Sequence, residues 1–194
     1  MRIVNLALLA AAGVGLWVSG ASAFDGERGG FVLGFGAGVG LTSFTQTIDD
    51  FDDFDGAATS DRQNEFSLGS DFKIGGGIGD RLLLYYVNRI AWLNVDNDLY
   101  GNEMILNGVG LLGASYYFQE TAPSWYVLGL LGISTWGSLD EGDSEAGFGV
   151  GAGAGWEFTR HWSVEATINW GKPSEDWVET NAVSFLVTIN GLAY

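Results

Sequence analysis

The chain has no cysteine among its 194 residues, which excludes disulfide cross-links, thiol nucleophiles and thiolate metal centres. Positive charge is nearly as scarce. Eight Lys and Arg face 24 Asp and Glu, a net charge of −16, so the basic face that nucleic acid requires is missing. Charged residues of both signs make up only 16%, against roughly 25% in soluble domains, and part of the surface is therefore expected to face something other than water. Beyond Phe24 no uninterrupted apolar run approaches the ~20 residues of a membrane-crossing helix, so a membrane role has to be carried by strands.

What is present begins with an export address. Arg2 precedes an apolar run from Ile3 to Val18, and Ala21-Ser22-Ala23 supplies the small-x-small pattern at which a secretory leader is cut. Residues 1–23 are expected to be a cleaved signal peptide and residues 24–194 one domain, long enough to bury a core or close a barrel.

In that domain apolar stretches alternate with polar breaks, and inside the stretches the period is two. Trp162, Val164, Ala166, Ile168 and Trp170 share one face, with Ser163, Glu165, Thr167 and Asn169 on the other. Between Gly147 and Phe158 an apolar series opposes a face made almost wholly of glycine, and the same device returns from Gly30 to Leu41. Phe66, Leu68, Phe72 and Ile74 oppose Glu65, Ser67, Gly69, Asp71 and Lys73. Four further segments, Arg81 to Val95, Ile105 to Phe118, Trp125 to Trp136 and Ala182 to Tyr194, bring the count to eight. An even number closes an antiparallel up-and-down transmembrane β-barrel.

Both faces of the Arg81 to Val95 segment are apolar, but Arg89 orients it, because a lipid-facing Arg at mid-membrane costs about 2–4 kcal/mol. Arg89 should point inward, which turns Leu82, Leu84, Tyr86, Ile90 and Trp92 outward and leaves Asn88 among them as an exception. In Trp125 to Trp136 neither face is polar enough to choose. At the end of the chain Leu192 and Tyr194 break the parity of Phe185, Val187 and Ile189, and a bulge at Gly191 would accommodate the break.

Connections at Gly77 to Asp80, Gln119 to Ser124 and Thr159 to His161 are short, as periplasmic turns are. The longer ones run approximately from Thr47 to Arg62, Asp96 to Met104, Ser138 to Glu145 and Lys172 to Asn181, and they carry 16 of the 24 acidic residues. The negative charge therefore belongs to one rim. Aromatic residues gather at the strand ends: Phe31, Phe118, Trp125, Phe158, Trp162 and Tyr194 toward the short turns, and Phe44, Trp92, Trp136, Phe148 and Trp170 toward the long loops. Phe148 and Phe158 are ten residues apart, about 33 Å of strand, which a tilt near 40° reduces to a height of roughly 25 Å, the thickness of an apolar membrane band.

An export signal, eight amphipathic strands and a final strand, Val183 to Tyr194, ending in an aromatic residue together resemble the small OmpA/OmpX-type outer-membrane barrels. The resemblance implies a bacterial outer-membrane location, with envelope lipid and lipopolysaccharide around the barrel, and a C-terminal strand read by the barrel-assembly machinery.

Glu65, Asp71, Lys73, Arg89, Glu157 and Glu165 are expected to project into the lumen as a charge network, since an eight-stranded barrel is just wide enough for its own side chains to fill. The acidic loop residues Asp49, Asp50, Asp52, Asp53 and Asp55 could gather divalent cations or bridge to lipopolysaccharide phosphates, but their spacing is not that of an EF-hand and a solvated loop is the expectation. His161-Trp162-Ser163 is superficially similar to the His-x-Ser pair of outer-membrane lipid A deacylases, yet His161 falls in a periplasmic turn, across the membrane from the lipid it would cut. The glycines from Gly34 to Gly40 mimic part of a nucleotide fingerprint without the helix it needs; room for bulky neighbours inside a narrow barrel explains them better. The expectation is thus a non-enzymatic barrel without cofactor or metal, with a structural or surface-interaction role through its acidic extracellular loops. Two alternatives stand beside it: a narrow porin-like channel, and a secreted lipocalin-like barrel with its apolar residues inside around an apolar ligand.

Overall fold

The computed structural model describes residues 27–48, 58–97, 101–138, 144–175 and 177–194. The proposed signal peptide, 1–23, and the acidic loop residues Asp49, Asp50, Asp52, Asp53 and Asp55 lie outside them. Among the described residues there is no helix, and the strands are β1 (Phe31–Ile48), β2 (Ala58–Thr59), β3 (Gln63–Ile78), β4 (Leu82–Asn97), β5 (Gly101–Tyr117), β6 (Ser124–Ser138), β7 (Ser144–Thr159), β8 (Trp162–Glu175) and β9 (Val178–Ala193).

Every long strand pairs antiparallel with its neighbours in sequence, and β1 also pairs with β9, which closes the sheet into an eight-stranded barrel; the two-residue β2 extends the β1 edge at the rim. Closure leaves no long unpaired edge. The end carrying the short turns and Tyr194 is called the lower end here, the other the upper.

The period-two pattern sets the two faces. Phe35 is 62% exposed, Trp125 60% and Leu131 57%, all on the outside, whereas Arg89 at 1% and Glu165 at 0% are inside. Burying charge while exposing large apolar side chains is the reverse of what water selects and matches an apolar surrounding. The same facing overturns the lipocalin-like alternative, whose apolar residues would have to line the interior. For β6 the question left open by its sequence is answered: Trp125, Val127, Leu131 and Ile133 face out, Tyr126, Leu128, Leu130 and Trp136 in.

Several expectations are corrected. No bulge occurs at Gly191: the β1–β9 register runs unbroken through Gly34↔Leu192, and the irregularity lies instead between Glu157 and Thr159. Leu192 and Tyr194 simply face the lumen, where Leu192 packs on the lower interior cluster. Tyr194, Phe44 and Trp136 are therefore interior residues and not girdle members. Two long connections are shorter than expected. β8 and β9 continue to Glu175↔Val178, and β4 and β5 to Asn97↔Gly101, because above the apolar belt the residues are mostly polar and hydrophobic alternation no longer marks a strand.

Candidate functional site

From the lower end upward, side chains fill the lumen in layers. The lowest is organised by Arg28, three residues before β1 and almost fully buried. Its Nη1 donates to the carbonyl oxygens of Asp80 at 3.0 Å, Gln119 at 2.8 Å and Glu120 at 2.8 Å, so one guanidinium joins the β3–β4 and β5–β6 turns. Nη2 pairs with Glu157. The guanidinium lies 4.1 Å from the centre of the Tyr117 ring, a cation–π distance, and Tyr194 Oη donates to Glu157 Oε1 at 2.6 Å. Nothing in the alternation pattern pointed to Arg28, because it precedes the first strand.

Above this layer Tyr117 and Tyr126 stack with ring centres 4.6 Å apart, and over them sits a charge quartet. Lys73 Nζ donates to Glu165 Oε2 at 2.7 Å, Arg89 Nη2 to Asp71 Oδ2 at 2.9 Å, and Arg89 also pairs with Glu165. Two cations and two carboxylates make the group neutral. Tyr126 Oη donates to Glu165 Oε2 at 3.0 Å, and the Asn190 amide fits with its nitrogen 2.8 Å from Asp71 Oδ1 and its oxygen 2.9 Å from Thr188 Oγ1. Two of the six residues expected to form one network stand apart from the quartet. Glu157 belongs to the Arg28 layer, and Glu65 lies higher on β3, half-buried, with no ion pair among the described residues.

Glycine makes this packing possible at particular places. A Cβ at Gly155 would fall on the Tyr126 ring, and one at Gly36 on the Asn190 and Asp71 side chains, so both positions must stay bare for the large inward groups to cross the lumen.

Higher still, Thr42 and Ser184 hydroxyls lie 2.7 Å apart and Asn107 donates to Ser184 Oγ at 2.8 Å. An apolar plug of Phe44, Ala91, Leu93, Ile105, Trp136, Ala182 and Leu186 completes the filling, with Phe44 and Trp136 ring centres 4.6 Å apart. The cavity beside Lys73, Tyr126 and Glu165 measures about 10 Å³, space for one water and no continuous column. Among the described residues the lumen opens above the plug into a vestibule of about 440 Å³ lined by Glu103, Glu145, Glu175, Gln46, Trp136 and Trp177. Burial in this mouth, together with the nearby Glu175 charge, holds the Glu145 carboxyl above its ordinary range against a hydrogen bond from Thr180.

His161 and Ser163 are not brought together. His161 adopts φ +71° in the tight β7–β8 turn, with Nδ1 2.9 Å from the Leu192 carbonyl oxygen. Ser163 points into the lumen toward Tyr126 Oη at 3.1 Å. Among the described residues no group of three or more His, Asp or Glu could hold a metal ion.

Compared with solved structures, the chain superposes on Neisserial surface protein A (NspA) with a TM-score of 0.50 at 14% identity, over 84% of this chain and 96% of that one. The fold is that of the small outer-membrane barrels. The outer membrane protein OprG from Pseudomonas aeruginosa gives a TM-score of 0.49 at 13% identity, covering 87% and 97%, and Ail, the attachment invasion locus protein of Yersinia pestis, 0.46 at 11%, covering 82% and 97%. No family model and no curated protein matches the sequence.

Proposed function

We propose that the chain is an integral barrel of the bacterial outer membrane that works through its acidic mouth, as a structural or surface-interaction protein, and neither conducts through its lumen nor catalyses a reaction. One observation carries this reading: buried side chains block the lumen at three levels, while the mouth above them opens into an acid- and tryptophan-lined vestibule. Its surroundings would be outer-membrane lipid and lipopolysaccharide, and the barrel-assembly machinery would insert it by engaging β9. A charged quartet in the middle of an eight-stranded barrel serves closure better than transport, because its cations and carboxylates are already committed to one another.

Planar-bilayer recordings on the refolded protein test the closed lumen; a flat trace is expected and discrete conductance steps would refute it. Protease treatment of intact cells tests the exposed mouth. Cleavage within the connections at the acidic mouth, and not in the short turns of the other end, is expected, and full resistance that disappears only on lysis would reverse the orientation.

A further inference from the structure

Asn88 lies on the outer face of β4, exposed, with Phe72 beside it on β3 and Gly110 on β5. It stands six residues above Leu82 and four below Trp92. At about 3.3 Å per residue and a tilt near 40°, that places it roughly 15 Å above the lower end of its strand and 10 Å beneath the upper girdle, within the apolar belt. Among the described residues its amide has no hydrogen-bond partner, and neither has the hydroxyl of Tyr86, two residues along the same face, which leans over Gly110 so that a Cβ there would meet it at 3.1 Å. Other polar groups on this side of the barrel are satisfied: Trp92 Nε1 donates to Ser70 Oγ at 2.9 Å, and Thr135 Oγ1 to the Gly108 carbonyl at 3.3 Å. Hydrocarbon offers no water to an unpaired amide, so such a group at mid-depth marks a contact.

We infer that this face, centred on Asn88 and Gly110, is where a second copy of the chain packs in the membrane. The inference rests on the outer-membrane reading above. Insertion gives both copies the same orientation, so the two-fold axis of a symmetric pair runs along the membrane normal and residues of equal depth meet. Asn88 of one barrel then faces Asn88 of the partner subunit. An amide carries both a donor and an acceptor, so two facing amides satisfy each other, which a second copy provides at the right depth without any further partner.

The absence of native cysteine makes single-cysteine cross-linking in native membranes the direct test. Leu112→Cys, across from Tyr86 on β5, is compared with Ile168→Cys on β8, the strand opposite β4 in the barrel. With a flexible bis-maleimide, a product of twice the chain mass is expected from Leu112→Cys and not from Ile168→Cys. Adding Asn88→Leu should reduce that product about tenfold and Asn88→Gln should largely restore it, from the loss and recovery of two amide hydrogen bonds in the membrane. Equal yields at both cysteines, no response to Asn88→Leu, or capture of a protein of another mass would overturn the proposal. Outer-membrane sedimentation and heat-modifiable mobility, followed on the same samples, report separately on the barrel reading. Should the cysteine variants fail to fold, sedimentation equilibrium of the unmodified chain in neutral detergent decides instead: a dimer weakened by Asn88→Leu supports the interface, and a monomer overturns it.

Discussion

At the lower end of the barrel two tight turns close on a single buried guanidinium, whereas at the upper end paired strands climb past the aromatic girdle and surround a hollow. The lower end is dense with obligate partners: Arg28, Glu157, Tyr117 and Tyr194 form one connected group, and the charge quartet lies just above it. The upper end carries acidic residues that face water or one another, with Lys172 and Glu179 pairing at an exposed 2.9 Å contact. Removing one member of a dense buried group strands the others, while removing a solvated charge strands nothing. Stability should therefore depend on the lower half and surface contacts on the upper, and substitutions in each half separate the two.

The largest effect is expected from Glu165→Leu. It leaves Lys73 and Arg89 buried with only the Asp71 carboxylate between them, a loss on the order of 3–5 kcal/mol, read as a lower urea midpoint of the detergent-folded barrel. Glu65→Leu, on the same strand face as Asp71 but outside the quartet, serves as the control and should shift the midpoint little. Arg28→Leu should follow at roughly 3 kcal/mol, since Glu157 loses its cation and three turn carbonyls lose their donor. A smaller loss, about 1–3 kcal/mol, is expected from Gly155→Ala, which pushes the Tyr126 ring off the neighbouring backbone. An outer-face change such as Ala152→Val should stay within about 0.5 kcal/mol.

The apolar belt of the barrel was open to reading because lipid outside and packed side chains inside impose alternation on every strand that crosses it. Trp162 to Trp170 and Phe148 to Phe158 show it plainly, and Arg89 oriented β4 through the cost of placing it in lipid. Legibility stopped where that contrast stops. In Lys172 to Glu175 and Val178 to Asn181 the outward residues Lys172, Ser174, Glu179 and Asn181 are polar and the buried ones are Pro173 and Thr180, so the strands extend without a hydrophobic signature. Phe44, Trp136 and Tyr194 were misplaced because an aromatic at a strand end suits a girdle or a plug equally well, and only parity relative to buried neighbours such as Thr42 and Ser134 separates the two. Arg28 had no periodicity to announce it; its sign in the sequence was the inward-facing Glu157, a carboxylate for which the strands supplied no cation.

The smallest predicted effect probes the mouth. With its carboxyl held above the ordinary range by burial, Glu145 opposes folding when ionised, so Glu145→Gln should raise the urea midpoint slightly at neutral pH. The folded chain binds this proton more tightly than the unfolded chain. The difference between the variant and the parent should accordingly shrink as pH falls through the raised value and vanish below the carboxyl's unfolded one.

The central claim, a closed barrel with its apolar face turned to lipid, is tested most directly by fractionating the envelope of the native host and running the extracted protein with and without boiling. Sedimentation with the outer membrane and a mobility that changes on boiling are the predicted results. A protein found soluble in the periplasm or medium, with one mobility under both conditions, would contradict the account.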